Sequence, residues 1–252
     1  MKKSLLTIYV ILSLFICSVS CQAQENAYHW YPKRNKTHEQ PILESQFQFI
    51  KNYNAVYLGA EKNEKKIFLT FDVGYENGNT EKILNILKEE NVPAAFFVLS
   101  HFVECNTDLV LRMQTEGHLV CNHSAKHKDM TKLSKDEFEK EITFMEKLVF
   151  DKTGRPIDKF YRPPRGIFNE SNLKWAEELG YRTVFWSLCY ADWDNQKQPN
   201  MDYARNLLLD NTHPGVIVLL HPTSSTNANI LQKLIRTWKE EGYEFSSLID
   251  IH

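Results

Sequence analysis

From Lys66 onward, short runs rich in β-branched and aromatic residues alternate with longer segments whose apolar residues recur at helical spacing. This alternation constrains the fold more than any other feature. Strands separated by single helices cannot close as hairpins, so they pair in parallel through crossovers. Strands are predicted over 67–71, 95–99, 118–121, 160–162, 183–187 and 216–220, and helices over 80–90, 107–116, 171–179, 203–209 and 228–241. A further long helix opens on the capping box Ser134-Lys135-Asp136-Glu137 and ends near Gly154. Gly117, Gly180 and Gly242 each stand just past a predicted helix end, where a left-handed residue turns the chain into the next segment. The strands follow one another too closely for separate domains. The expected fold is α/β, a distorted (β/α) barrel of about seven parallel strands in one domain over 66–252.

The start of the chain reads differently. Lys2 and Lys3 precede a mostly apolar run over 5–17, followed by small residues up to Ala23, the three parts of a secretory signal. The run is shorter than the roughly 20 residues that span a bilayer, so residues 1–21 are expected to be removed on export, with Cys21 a candidate for lipidation instead. Residues 22–65, polar and irregular around Trp30, Tyr31, Pro32 and Pro41, are expected to form an arm packed on the barrel. The 252 residues carry 30 basic and 32 acidic side chains. Loss of the signal would leave 28 against 32, a net charge of −4. That balance excludes a general polyanion binder, which needs a basic face to displace counterions. A hydrophobic fraction of 42% with only nine Gly and nine Pro excludes disordered and collagenous chains. Cys105, Cys121 and Cys189, odd in number and widely spaced, read as free thiols rather than a disulfide framework.

In a parallel barrel, residues just after each strand meet at one open face, which filters candidates for chemistry. Asp72 follows the first strand, as a turn residue or a functional carboxylate. His123 and His127 follow the third; if their segment is helical, both rings share a face and can converge on a metal. Tyr161-Arg162-Pro163-Pro164-Arg165-Gly166 is a stiff exit with two guanidinium groups, since Pro fixes φ and removes backbone donors. Asp192 and Trp193 follow the fifth strand and His221 the sixth. Each signal is modest alone, but together they bring Asp, two His, Arg, Asp and His to one face.

The set resembles the polysaccharide deacetylases with a NodB-type domain, carbohydrate esterase family four. The likeness runs from about Lys66 to Phe245 in Thr70-Phe71-Asp72-Val73-Gly74, His123-Ser124-Ala125-Lys126-His127, Arg162-Pro163-Pro164-Arg165-Gly166, Asp192-Trp193 and Leu219-Leu220-His221. Within that family it is most similar to the δ-lactam-forming peptidoglycan deacetylases, through Tyr57-Leu58-Gly59, Gly74-Tyr75-Glu76-Asn77-Gly78 and the signal segment. The resemblance implies removal of the acetyl group from N-acetylmuramic acid in peptide-stripped glycan strands. The freed amine then closes to muramic δ-lactam, as in spore cortex. It implies a divalent metal (zinc first, with cobalt, manganese or magnesium as alternatives) held by His123, His127 and Asp72. Asp72 would serve as base, Arg162 would orient it, His221 would act as acid and Asp192 would tune that acid.

One position departs from the family pattern: where the wider family carries a second, metal-ligating Asp, this chain has Val73, as the lactam-forming branch also lacks an Asp there. Arg165 stands where the wider family has an aromatic residue, and its guanidinium suits the lactyl carboxylate that muramic acid has and glucosamine lacks. Tyr75, Trp193, Tyr190 and Phe168 are expected to contact sugar, Trp186 and Trp175 to pack in the core. The implied partners are peptidoglycan strands, with no nucleic acid and no membrane contact beyond the signal or a lipid at Cys21. A monomer at the cell wall or the extracytoplasmic face of the membrane, including the spore cortex compartment, is expected. The rival readings are a deacetylase of N-acetylglucosamine polymers, a glycan-binding protein that lost its metal through Val73, and a metal-binding barrel with another hydrolytic activity.

Overall fold

The computed structural model describes residues 26–251, so the expected signal segment, with Cys17 and Cys21, lies outside the described residues. In chain order the strands are β1 (Tyr28–His29), β2 (Lys66–Val73), β3 (Ala94–Val98), β4 (Leu119–Asn122), β5 (Asp158–Tyr161), β6 (Ile167–Phe168), β7 (Arg182–Thr183), β8 (Val216–Leu220) and β9 (Glu244–Phe245). The α-helices are α1 (Asn79–Glu90), α2 (Ser100–Cys105), α3 (Thr107–Thr115), α4 (Lys135–Thr153), α5 (Glu170–Glu178), α6 (Met201–Asp210) and α7 (Ser225–Glu240). Seven strands form one sheet in the order β7-β5-β4-β3-β2-β8, with β9 also beside β2, and every pairing in it is parallel.

The strand expected over 183–187 is regular only at its start, because that segment changes partner. Val184 donates to the carbonyl of Tyr161 (2.8 Å), whereas Leu188 donates to Ile217 (3.2 Å) and accepts from Leu219 (2.9 Å). This irregular segment spans from β5 to β8 and curls the sheet into a distorted barrel. Helix α2 was not anticipated: its six residues are too few for a helical period to emerge. The capping box at Ser134 is formed, and Gly117, Gly180 and Gly242 adopt φ of +85°, +80° and +83°.

Both faces of the strands are buried, and they face different partners. Ile67, Leu69, Phe71 and Val73 of β2 pack with Val216, Val218 and Leu220 against Leu84 and Leu87 of α1 and Leu231 and Leu234 of α7. Phe68, with Ala95, Phe97, Cys121, Ile217 and Leu219, points the other way and meets Trp30, Leu43, Phe47 and Ile50 from the N-terminal segment. That segment therefore covers the face the helices leave. Trp30 stacks on Phe185 (4.5 Å between centroids) and donates its indole N–H to the Trp186 carbonyl (2.9 Å). Cys105, Cys121 and Cys189 are free thiols. Among the described residues no helix is long and apolar enough to cross a membrane.

Candidate active site

Strand parity sets the first residue of the site. Successive strand side chains alternate faces, so Thr70 and Asp72 of β2 point away from the helices while Phe71 and Val73 point towards them. Val73 is fully buried among the apolar residues of that outer layer. Asp72 meets Arg162, which directly follows β5 and extends it by donating its backbone N–H to the Asn122 carbonyl (3.0 Å). The Arg162 guanidinium is completely buried and donates from all three of its nitrogens. Nη1 donates to Asp72 Oδ1 (2.8 Å), Nη2 to Thr70 Oγ1 (2.9 Å) and Nε to the Val184 carbonyl (3.0 Å). Its carbon centre lies 4.1 Å from the Phe97 ring centroid. Burial would raise the Asp72 pKa, but His123 in its protonated form, the permanent charge of Arg162 and the charge of His221 outweigh it and hold the carboxyl below its ordinary 3.8.

The two histidines come together in a way the helical reading did not foresee. Residues 123–129 are irregular, and left-handed backbone at Ser124 (φ 68°) and His127 (φ 53°) folds the loop back on itself. Polar side chains hold this strained path. Asn122 Oδ1 accepts from the Ser124 N–H (2.9 Å), Ser124 Oγ from the His127 N–H (3.1 Å), and buried Glu141 of α4 from the Lys126 N–H (2.9 Å). The His123 and His127 rings stand 5.1 Å apart between centroids.

The donor chemistry fits a divalent cation. His123 Nδ1 donates to the Arg162 carbonyl (2.9 Å), which leaves the Nε2 lone pair free; that atom is 3.5 Å from Asp72 Oδ2. Two donors about 2.1 Å from one ion at tetrahedral angles are themselves about 3.4 Å apart. Burial pushes His123 below its ordinary pKa and His127 down to about 4, so both are neutral at pH 7, as ligands must be. Among the described residues, no group of three or more His, Cys, Asp or Glu is drawn together tightly enough to enclose an ion. With Val73 turned to the helices, Asp72 is the carboxylate of this strand that stands beside the histidines.

Opposite lies a second pair. His221, just after β8, donates Nδ1–H to Asp192 Oδ1 (2.7 Å), and its backbone N–H donates to Oδ2 (2.8 Å). Asp192 is buried, while the His221 side chain is 24% exposed, so its ring reaches the open face. Burial lowers the imidazole pKa, but Asp192 and the more distant Asp72 outweigh that and raise it above 6.5.

The rim residues divide. Trp193 is 62% exposed and approaches the His221 ring at 6.3 Å; Tyr75 is 66% exposed and packs near His101 (5.2 Å). Arg165 sits in left-handed backbone (φ 58°), with its exposed guanidinium 4.0 Å from Asp129. Two expected sugar contacts lie elsewhere. Tyr190 is buried and its hydroxyl donates to Asn227, beneath the Asp192–His221 pair. Phe168 is fully buried in β6 against Tyr28, Phe47 and Phe49 of the N-terminal segment. Trp186 is buried and Trp175 half-buried, as core residues. Sequence reading missed Thr70, which parity places beside Asp72, and Asn227 and Glu141, for which no local pattern exists.

A carboxylate, a carboxylate-paired histidine and two neutral imidazoles gather at the strand ends of a parallel α/β barrel, groups suited to hydrolytic chemistry. The chain belongs to the polysaccharide deacetylase family, whose sequence profile matches residues 59–184. It is 39% identical to the peptidoglycan-N-acetylmuramic acid deacetylase PdaA of Bacillus subtilis, over 94% of this chain and 95% of that one. The solved structure of Bacillus subtilis PdaA, described as a family 4 carbohydrate esterase, matches with a TM-score of 0.86 and 41% identity, covering 89% of this chain and 96% of that chain. A peptidoglycan-N-acetylglucosamine deacetylase of Bacillus cereus is 34% identical over 80% of this chain and 73% of its own length.

Proposed function

We propose that this chain hydrolyses the N-acetyl group of N-acetylmuramic acid residues in peptide-stripped peptidoglycan strands, outside the cytoplasmic membrane. The observation that carries this reading is the Asp72–Arg162–His123 cluster facing the Asp192–His221 pair, in a chain alike almost end to end to a muramic acid deacetylase. His123, His127 and Asp72 would hold a divalent cation, zinc by its donor set, which would supply Lewis acidity and lower the pKa of a bound water. Asp72, kept ionised by Arg162, takes the proton of the attacking water, and Arg162 fixes the direction of that carboxylate. The backbone N–H of Arg165 is the candidate donor to the oxygen that gains charge. His221, charged and aimed by Asp192, protonates the departing nitrogen; the C–N bond breaks, a C–O bond replaces it, and acetate and a free amine leave.

Two groups then set the pH range. Asp72 stays ionised to below 3.8, and His221 carries its proton to above 6.5. The rate therefore holds through mildly acidic pH and falls on the alkaline side as His221 deprotonates; a pH profile of kcat/KM checks this, and a rate still rising well past neutrality contradicts it.

Arg165 supports muramic acid over glucosamine. Its exposed guanidinium, held only loosely by Asp129, is available to a lactyl carboxylate. Arg165→Ala is expected to lower kcat/KM on muramic residues about tenfold to a hundredfold while changing turnover of a glucosamine oligomer by less than about threefold. Equal losses on both substrates would remove the specificity argument. The freed amine would close on the lactyl carboxyl with loss of water, giving muramic δ-lactam in spore cortex. Export through residues 1–21, with lipidation at Cys21 as the alternative, an arm over 22–65, a catalytic domain over 66–252 and a monomeric state complete the reading. Deacetylation of N-acetylglucosamine is the second reading, favoured by the likeness to the Bacillus cereus enzyme.

A further inference from the structure

Behind the Asp192–His221 pair lies a buried polar cluster that the reaction outlined above does not use. Asn227, in the first turn of α7 and 1% exposed, donates Nδ2–H to Asp192 Oδ2 (2.6 Å) and to the His221 carbonyl (3.0 Å). Its Oδ1 accepts the hydroxyl of buried Tyr190. An amide can be turned end for end, but the carboxylate and the carbonyl only accept, so Nδ2 must face them and Oδ1 is left to accept the Tyr190 hydroxyl, which holds the amide from its other side. Asp192 thereby accepts three hydrogen bonds, from His221 Nδ1, the His221 backbone N–H and Asn227, which fix its plane as well as its place. The backbone of Asn227 is itself set by the N-cap of α7, where its N–H donates to Ser224 Oγ (3.1 Å).

We propose that Tyr190 and Asn227 are positioning residues for the proton donor: Tyr190 orients the Asn227 amide, and the amide holds the Asp192 carboxylate in the plane that aims His221. This rests on the reading of His221 as the acid that protonates the leaving nitrogen. Tyr190→Phe deletes one hydroxyl and keeps the ring in its place, and Asn227→Ala removes the amide. The groups acting on His221 are Asp192 and Asp72, which favour its proton, and Arg162, which opposes it. A carboxylate free to turn holds that proton less firmly.

The test is an NMR titration of the His221 imidazole in the unaltered protein and both variants, alongside kcat and KM on acetylated glycan strands. Asn227→Ala is expected to lower the His221 midpoint by about one pH unit and kcat about tenfold at unchanged KM, and Tyr190→Phe to do the same to a smaller extent. A midpoint unmoved in both variants overturns the proposal, whatever happens to the rate, since a merely structural role would cost stability without touching the titration. A midpoint that moves in a protein that turns over no acetylated glycan upholds the positioning role and overturns the deacetylase reading instead. If Asn227→Ala does not fold, the Tyr190→Phe titration decides alone.

Discussion

Asp72→Asn is expected to lower kcat by about a thousandfold or more with the fold intact, measured as acetate release from peptidoglycan strands. The change is isosteric, so the side chain still fills its place between Arg162 and His123. What it removes is the negative charge. An amide cannot take a proton from water, and it is a poorer donor to a divalent ion than a carboxylate. With Val73 buried against the helices, no second carboxylate of the same strand is available to take over either task. Retention of more than about a tenth of the rate would mean that another group is the base.

Arg162→Leu is expected to cost about 3–5 kcal/mol of stability, read by denaturant unfolding, as well as activity. The guanidinium answers Asp72, Thr70 and the Val184 carbonyl in a place with no exposure at all, so its removal strands a buried carboxylate. Coupling Arg162→Leu with Asp72→Ala is expected to recover part of that loss, because the second change removes the unpaired charge. Arg162→Lys keeps the charge but cannot make the fork to Asp72 and Thr70, so it should fold better than the leucine variant and remain poorly active. A loss below about 1 kcal/mol for Arg162→Leu would show that Asp72 does not depend on this partner.

Much of the site could be read before any coordinates because strand exits are local. An apolar run such as 216–220 ending in His221 declares both the strand and the position of the ring. Parity explains why Val73 cannot stand in for Asp72, and the period of two in β2 already contains that fact. What remained hidden depends on distant partners. His123 and His127 share a residue spacing with helical pairs, yet the loop takes left-handed turns held by Asn122, Ser124 and Glu141, and Glu141 arrives from α4. Tyr190 and Phe168 looked like sugar platforms because aromatic residues near catalytic motifs often are. The N-terminal segment covers Phe168, and α7 supplies the partner of Tyr190; neither contact leaves a trace in the local sequence. Trp193 and Tyr75, by contrast, are exposed to solvent.

The central claim is that this site removes acetyl groups from muramic acid with the help of a bound cation. The most direct measurement is mass spectrometry of peptide-stripped glycan strands after incubation with the protein, with and without a chelator. The account predicts loss of acetyl, followed by loss of water, at muramic residues, abolished by the chelator and restored by a divalent metal. Acetyl loss confined to glucosamine residues, or strands unchanged with every divalent metal added, would contradict it.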